Sequence, residues 1–432
     1  MEAPPRRLAE WLFASLVLLG LAITIGRFWR DGYLPQPFYY RVSDTLMDLH
    51  GPALWANTGG AYHVWHALYP PLSFVYLKLT SLGACYASNE WAGRDCDWLA
   101  KAVLLAVFAG NIALIWVTYR IADARTATPR AIAMALGVPM LYALERGNLL
   151  IPCFTCFALG YGDVFRRRWP RWIALALSFN FKPYLGLVAL PFLVQRRWSW
   201  VMACLAFGVA IYLATLAIYG SGSPMEIIVN ETRYSVAVSK GYFSDLYFAT
   251  AYWPLIRLLH ALPPELRLIP DGLAQALALG LTLALRASQA AALICLALAA
   301  WRPERTDVRR LAALVAAVAI TAFTTGSAGY SQIFLVFLVF FEPWTGRLRP
   351  VMLTATYILC LPLDIVLVPL IHQPAHSYLG GRTVMTDFGL SLGQLLRPGL
   401  LLVIQGALVT LNLRDIFRPA AKPRPADGPS PL

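Results

Sequence analysis

Apolar runs recur along this chain from Trp11 to Leu413. Each is too long for a strand of a membrane barrel, and about 20 apolar residues cross the hydrocarbon layer as a helix. A soluble core has no use for so many such runs. Inside lipid each backbone polar group must be satisfied within its own element, so the expected fold is an all-α polytopic membrane protein. Composition agrees, with 58% apolar and 14% charged residues among the 432. Arg6 and Arg7 precede the first run as they would in a signal peptide. That run extends from Leu8 to about Phe28 without a convincing small-residue cleavage site, so it reads as an anchor. The net charge of +13 is assigned to cytoplasmic loops beside anionic lipid rather than to nucleic-acid binding.

Arginine clusters set the expected orientation. They occur at Arg6–Arg7, Arg120–Arg130, Arg166–Arg171, Arg196–Arg197, Arg302–Arg310, Arg347–Arg349 and Arg414–Arg424. Placing all of them in the cytoplasm requires an even number of crossings between consecutive clusters. The count closes when Tyr69–Ala84, opened by Tyr69-Pro70-Pro71-Leu72, and Leu246–Leu262, with Arg257 and His260 inside it, are interfacial and non-spanning. About twelve crossings then begin near residues 8, 99, 131, 148, 171, 183, 199, 273, 311, 330, 350 and 398, with both termini inside. The short pairs around Gly147, Lys182 and Gly329 are candidates for half-deep hairpins that meet a cavity. Residues 1–417 form a single membrane domain whose first outer loop is 29–98. The proline-rich stretch 418–432 is expected to be a disordered cytoplasmic tail.

This topology gathers polar groups on the outer face. They are Asp31–Trp65, Arg146-Gly147-Asn148, Lys182, Gly220–Tyr247, Tyr330-Ser331-Gln332 and His372–Gln394. Lys182-Pro183 interrupts an apolar stretch, and a lysine in hydrocarbon costs roughly 2.5–3.5 kcal/mol on insertion scales, so it normally faces a cavity or a partner. Proline removes a backbone donor and breaks the helix there. A cation at such a break suits an anionic ligand; a snorkelling lysine at a helix end is the plainer reading. Asp44 and Asp48, four apart, would share one face of a helix that Ser43 or Asp44 caps. A carboxylate there can take a proton from a hydroxyl, or the pair can simply serve the helix dipole. Arg146 has an equally plain reading as the neighbour of Glu145 in a loop turn.

Taken in order, Asp44 and Asp48, Tyr69-Pro70-Pro71-Leu72, Glu145-Arg146-Gly147-Asn148, and Lys182-Pro183 followed by Arg196-Arg197-Trp198 resemble the GT-C superfamily of membrane glycosyltransferases. The likeness is greatest to glycosyltransferase family 87, the polyprenol-phosphate-mannose-dependent mannosyltransferases. It covers roughly residues 8–200, with Gly329-Tyr330-Ser331-Gln332 as a weaker echo. Where many relatives are expected to carry glutamine before the asparagine, this chain has Arg146-Gly147-Asn148, and the sugar preference stays open. The resemblance implies inverting transfer of a hexose, mannose first, from a polyprenyl-phosphate donor to a lipid or glycan acceptor hydroxyl, without metal or other cofactor. Phosphate is already a good leaving group, so one base is enough, unlike the carboxyl pair of glycoside hydrolysis. Asp44 is the expected base with Asp48 as alternate or orienter. Lys182, Arg146, Asn148 and His376 are expected at the donor phosphate, and His66, Tyr69, Tyr330 and Gln332 in the acceptor cleft. A transporter or flippase for a lipid-linked or anionic solute is the alternative, since broken helices with a cation suit it too.

The remaining signals are weaker. Pro374 lies between His372 and His376 and argues against a helical zinc pair, leaving either histidine for the donor phosphate. His63 and His66 suit the cleft or interfacial packing. Asp95-Cys96-Asp97 has the outline of a metal site, but sits on the outer face among aromatic and charged residues. Cys153, Cys156, Cys204, Cys295 and Cys360 lie in apolar runs and read as core residues. Cys85 and Cys96 are both placed outside, where an oxidising compartment would pair them. Asn230-Glu231-Thr232 is formally a glycosylation sequon, and Glu226, Arg233, Tyr234, Lys240 and Tyr242 are unranked contacts for a head group. The Ala-, Arg- and Leu-heavy composition points to a bacterial inner membrane.

Overall fold

The computed structural model describes residues 4–38, 42–239, 262–267, 269–323, 329–377 and 381–418. Lys240, Tyr242, nearly all of the proposed interfacial stretch 246–262, and the tail from 419 lie outside the described residues. The first half is built of α1 (Pro4–Asp31), α2 (Met47–Thr58), α3 (Pro71–Thr80), α4 (Glu90–Cys96), α5 (Trp98–Ala122), α6 (Ala127–Ala135), α7 (Val138–Glu145), α8 (Leu150–Tyr161) and α9 (Arg168–Phe181). There follow α10 (Leu190–Val194), α11 (Trp198–Tyr219), α12 (Pro224–Ser239), α13 (Asp271–Trp301), α14 (Val308–Phe323), α15 (Ile333–Val339), α16 (Leu348–Leu359) and α17 (Leu392–Phe417). Between α16 and α17 stand two antiparallel strands, β1 (Val366–His376) and β2 (Thr383–Ser391).

Six helical segments have the length and apolarity to cross a membrane: Leu8–Asp31, Trp98–Ala122, Ala127–Glu145, Trp198–Tyr219, Asp271–Trp301 and Leu392–Phe417. Their lipid-side residues are exposed and apolar, as in Leu205, Val209 and Leu213 of α11. The chain is therefore read as membrane-embedded. The other expected crossings correspond to shorter helices, so length alone does not yield twelve spans. α15 reads Ile-Phe-Leu-Val-Phe-Leu-Val and is buried on every side, as a helix apolar all round must be. Phe337 meets Phe154 edge-on at 5.3 Å, and the Tyr119 hydroxyl donates to the Phe337 carbonyl (3.1 Å).

The interfacial placement of Tyr69–Ala84 is matched by a short element: α3 has 10 residues, about 15 Å of helix and half a bilayer. The break at Lys182-Pro183 is also present. α9 stops at Phe181, Lys182 is extended, and a 3-10 turn over Pro183–Ala189 leads into α10.

Two expectations need correcting. The segment His372–Gln394 is largely a β-hairpin rather than a loop, so the fold is helical with one small sheet. Its strands are rich in β-branched residues (Val366, Val368, Ile371, Thr383, Val384, Thr386), and with two strands both are edges, where Pro369 and Pro374 are tolerated. The Gln36 side chain clips the hairpin from outside, donating to the Gly389 carbonyl (2.9 Å) and accepting from its N–H (3.1 Å). Secondly, the arginines at one end of the bundle are not merely lipid anchors. Arg130 (α6) is buried against Glu10 (α1) at 2.5 Å and donates to the Phe340 and Glu342 carbonyls. Arg310 (α14) and Arg349 (α16) meet at the Glu342 carboxylate (2.6 and 2.8 Å), and Arg310 also pairs with Asp415 of α17. Five helices are thus tied through one ionic network.

Candidate functional site

At the other end, the chain between α1 and α2 lies across the turn that follows α7. Leu46 N–H donates to the Glu145 carbonyl (2.9 Å) and Asp48 N–H to the Arg146 carbonyl (3.1 Å). Those two carbonyls satisfy donors at the start of α2 that a side chain normally caps. Leu46 is drawn into the left-handed region (φ 61°) as a result, and no side chain caps α2. The expectation that Asp44 and Asp48 share one helix, capped by Ser43 or Asp44, is therefore corrected. Asp44 closes a 3-10 turn over Val42–Asp44, and Asp48 sits in the first turn of α2. Gly147 (φ 65°) permits the contact, since a Cβ there would come within 2.8 Å of Leu49 Cβ.

The two aspartates still face one cation. Arg146 Nη2 donates to Asp48 Oδ1 (2.8 Å), and Nη1 lies 3.4 Å from Asp44 Oδ2. Asn148 Nδ2 donates to Asp48 Oδ2 (2.7 Å), while Asn148 Oδ1 accepts from Leu150 N–H and holds the start of α8. Both Asp48 oxygens are therefore occupied. Among the described residues Asp44 has only the long contact, and it keeps 37% of its side chain exposed, against 20% for Asp48. Arg146 is thus paired with both carboxylates through its two Nη atoms. Thr45 Oγ1 donates to Glu145 Oε1 (2.5 Å) and pins the intervening chain.

Lys182 arrives from the helix break, 7% exposed, with Nζ 4.0 Å from the centre of the Tyr69 ring. A cation over an aromatic face is held without being neutralised, so its charge remains available to an anion. Tyr330 stacks on Tyr142 of α7 (5.7 Å) and so stands beside the Glu145–Asn148 turn. Gln332 is buried, and neither its amide N nor its amide O has a partner. A small apolar cavity lined by Tyr184, Leu185, Leu187, Ser331 and Phe334 opens between the elements carrying Lys182 and Tyr330.

The histidines have partners of their own. His66 Nδ1 faces Arg233 (3.4 Å) and His63 pairs with Glu226 (2.9 Å), so both dock the end of the first loop on α12. Asn230 of the sequon is buried and donates to the Tyr62 and Ala67 carbonyls (3.0 and 3.2 Å), which gives it a structural task in that docking. His372 pairs with Asp387 across the hairpin. His376 lies exposed at the turn end of the hairpin opposite Thr383, and among the described residues no ion pair or hydrogen bond joins it to the aspartates.

Sequence reasoning missed what holds the site from outside. Cys85 and Cys96 form the expected disulfide, closing a loop of separation 11 that on chain-entropy grounds contributes about 3 kcal/mol. It anchors α4, whose Arg94 donates to the carbonyl of Ser43 (3.0 Å), next to Asp44. Asp97 is fully buried and spent on structure: Oδ1 accepts from Ala100 N–H at the start of α5, and Oδ2 from the Tyr86 hydroxyl and Leu82 N–H. With the Tyr86 proton on Asp97, His50 Nδ1–H donates to the Tyr86 oxygen (2.9 Å), leaving Nε2 bare and buried.

Burial pulls the His50 ring down to about 4, with Asp97 opposing and Lys101 and Arg94 assisting. In the unfolded chain it protonates near 6.5, so the folded state loses stability as pH falls from about 6.5 to about 4, and the loss levels off below that. The expected slope is at most about 1.4 kcal/mol per pH unit. Apparent Tm measured at pH 7.5 and pH 5 falls in the wild type, and His50→Gln removes this part of the fall. An unchanged difference in the variant would refute the assignment.

Comparison of the chain with protein-family models, curated proteins and solved structures gives no match. The functional reading therefore rests on the residues and their geometry.

Proposed function

We propose that this protein is a membrane glycosyltransferase of GT-C type that transfers a hexose, mannose first, from a polyprenyl phosphate to an acceptor hydroxyl, with inversion. One observation carries the reading. Asp44, Asp48, Tyr69, Arg146, Asn148, Lys182 and Tyr330, drawn from five separated segments, converge at one end of an apolar helical bundle. The opposite end is occupied by an internally paired arginine network. A transport pathway needs polar groups towards both ends, which favours the enzyme over the transporter.

In this reading the chain crosses the membrane about twelve times through long and short helices, with the arginine end cytoplasmic and the site facing out of a bacterial inner membrane. Asp44 takes the proton of the acceptor hydroxyl while that oxygen attacks the anomeric carbon. The bond from that carbon to the phosphate oxygen breaks, and its electron pair leaves with the lipid phosphate. Lys182 stabilises the charge gathering on the phosphate, and Asp48 holds Arg146 and Asn148 so that Asp44 is fixed in place. The apolar cavity between Lys182 and Tyr330 suits the first isoprene units.

The test is transfer of radiolabel from polyprenyl-phosphate mannose in membranes containing wild type or Lys182→Ala at matched expression. Wild type transfers label, and Lys182→Ala loses about 100-fold or more. Absence of both transfer and binding across a panel of polyprenyl-phosphate sugars would shift the reading to transport.

A further inference from the structure

α13 carries an arginine at the middle of its 31 residues. Arg286 is exposed, with exposed apolar residues on either side of it along the helix: Leu279 and Leu283 before, Leu293 and Ile294 after. An arginine within a membrane helix costs roughly 2.5–3.5 kcal/mol on insertion scales and normally has an anionic or polar partner. Among the described residues, its hydrogen bond is from Nη1 to Gln289 Oε1 (3.0 Å), one turn along the same helix.

On α17 the facing register supplies no carboxylate. α13 runs parallel to α17, with Arg302 donating to the Ile416 carbonyl and Cys295 to the Val409 carbonyl, a constant offset of 114. The same offset puts Arg286 level with Leu400, between Leu396 and Val403. Asp364, a buried acid at the start of α17, is already paired with Arg397 (3.1 Å).

Two further donors share the face. Thr282 and Gln289 lie four residues before and three after Arg286, the spacing of neighbours on a helix surface. Thr282 Oγ1 and Gln289 Nε2 are both buried without a partner, and Gln289 is only 7% exposed. Both atoms are turned away from the surface, so of the three side chains it is Arg286, steadied by Gln289, that presents donors to an outside oxygen acceptor. Depth narrows the choice. The Trp301 end of α13 joins the arginine-rich end of the bundle, and Arg286 lies 15 residues away, about 22 Å at 1.5 Å per residue. In a hydrocarbon layer about 30 Å thick, a snorkelling guanidinium from that depth reaches the phosphate level of the opposite leaflet, the side of the candidate active site.

The geometry points to a lipid-phosphate site on the membrane-facing surface of α13, in which Arg286, held by Gln289, binds the phosphate oxygens of a lipid in that leaflet. The phosphate comes from a membrane phospholipid or from an isoprenoid phosphate, and the site does not depend on the transferase reading.

Native mass spectrometry of the delipidated full-length protein tests it, with phosphatidylglycerol, a polyprenyl monophosphate and phosphate-free diacylglycerol as probes. Arg286→Gln is expected to weaken one phosphate lipid about 10-fold and leave diacylglycerol unchanged, with Arg286→Lys retaining most of the binding. Loss of phosphatidylglycerol alone identifies a phospholipid site, and loss of the polyprenyl phosphate alone a second isoprenoid-phosphate site. Lys182→Ala, run in parallel, separates that from the candidate active site. Unchanged retention of both phosphate lipids by Arg286→Gln overturns the proposal. Conversion of a dimer to a monomer with lipid retention unchanged would also overturn it, assigning the face to a second copy of the chain.

Discussion

Asp44→Asn is expected to reduce sugar transfer about 10²–10⁴-fold, the usual contribution of a positioned base, without lowering apparent Tm. The second half of that expectation discriminates. Asp44 makes a single 3.4 Å contact to Arg146 from a partly exposed position, and such pairs contribute about 0–1 kcal/mol. Asp48→Asn should behave differently. It removes a carboxylate that accepts from both Arg146 and Asn148, and it sets an amide against the Asn148 amide. Hydrogen bonds to charged groups contribute about 1.5–3 kcal/mol, so the variant should lose stability as well as activity. Parallel measurement of kcat and of thermal unfolding by intrinsic fluorescence separates the two. A fully active Asp44→Asn enzyme would remove Asp44 from the mechanism and leave Asp48 as the remaining carboxylate of the pair.

Arg130→Ala is expected to destabilise the bundle by about 3–5 kcal/mol, the cost of leaving one partner of a buried ion pair behind. Glu10 is 1% exposed, and without Arg130 its carboxylate keeps, among the described residues, only the Tyr357 hydroxyl, 3.2 Å away. The Phe340 and Glu342 carbonyls lose their donor at the same time. Replacing both charges, as in Glu10→Leu with Arg130→Met, should recover a substantial part, since no charge is then stranded in the apolar interior. Thermal unfolding in one detergent decides it: a single variant within about 1 kcal/mol of wild type would mean that water reaches the pair. Because this network lies at the far end of the bundle from Asp44, the double variant should retain its transfer activity.

Much of the candidate site was legible because its members are types that apolar surroundings tolerate poorly. Lys182 before a proline, Arg146 before Gly147-Asn148, and two aspartates after the first membrane run each stand out in such a chain, and all are brought together. Their roles were less legible. Arg146 reads as a phosphate ligand, and that it also holds both carboxylates is seen only in the structure. The carbonyls of Glu145 and Arg146 that cap α2 are backbone groups and leave no trace in the side-chain pattern. The hairpin was hidden because Pro369 and Pro374 argue against a strand, and only the absence of outer neighbours lets an edge strand carry them.

The sequence by itself determined the membrane class, the main apolar helices and the helix break at Lys182, and it placed Cys85 and Cys96 where they can pair. These follow from local chemistry: hydrocarbon demands long apolar helices, proline cannot donate, and cysteines on the same side of the membrane can pair. Only the tertiary structure decided which aspartate is left free, which arginines are spent on buried carboxylates, and that Arg286 faces outward from the middle of α13. Those outcomes depend on which distant segments meet, and the competition among several carboxylates for a few cations is resolved by distance, which no local pattern encodes.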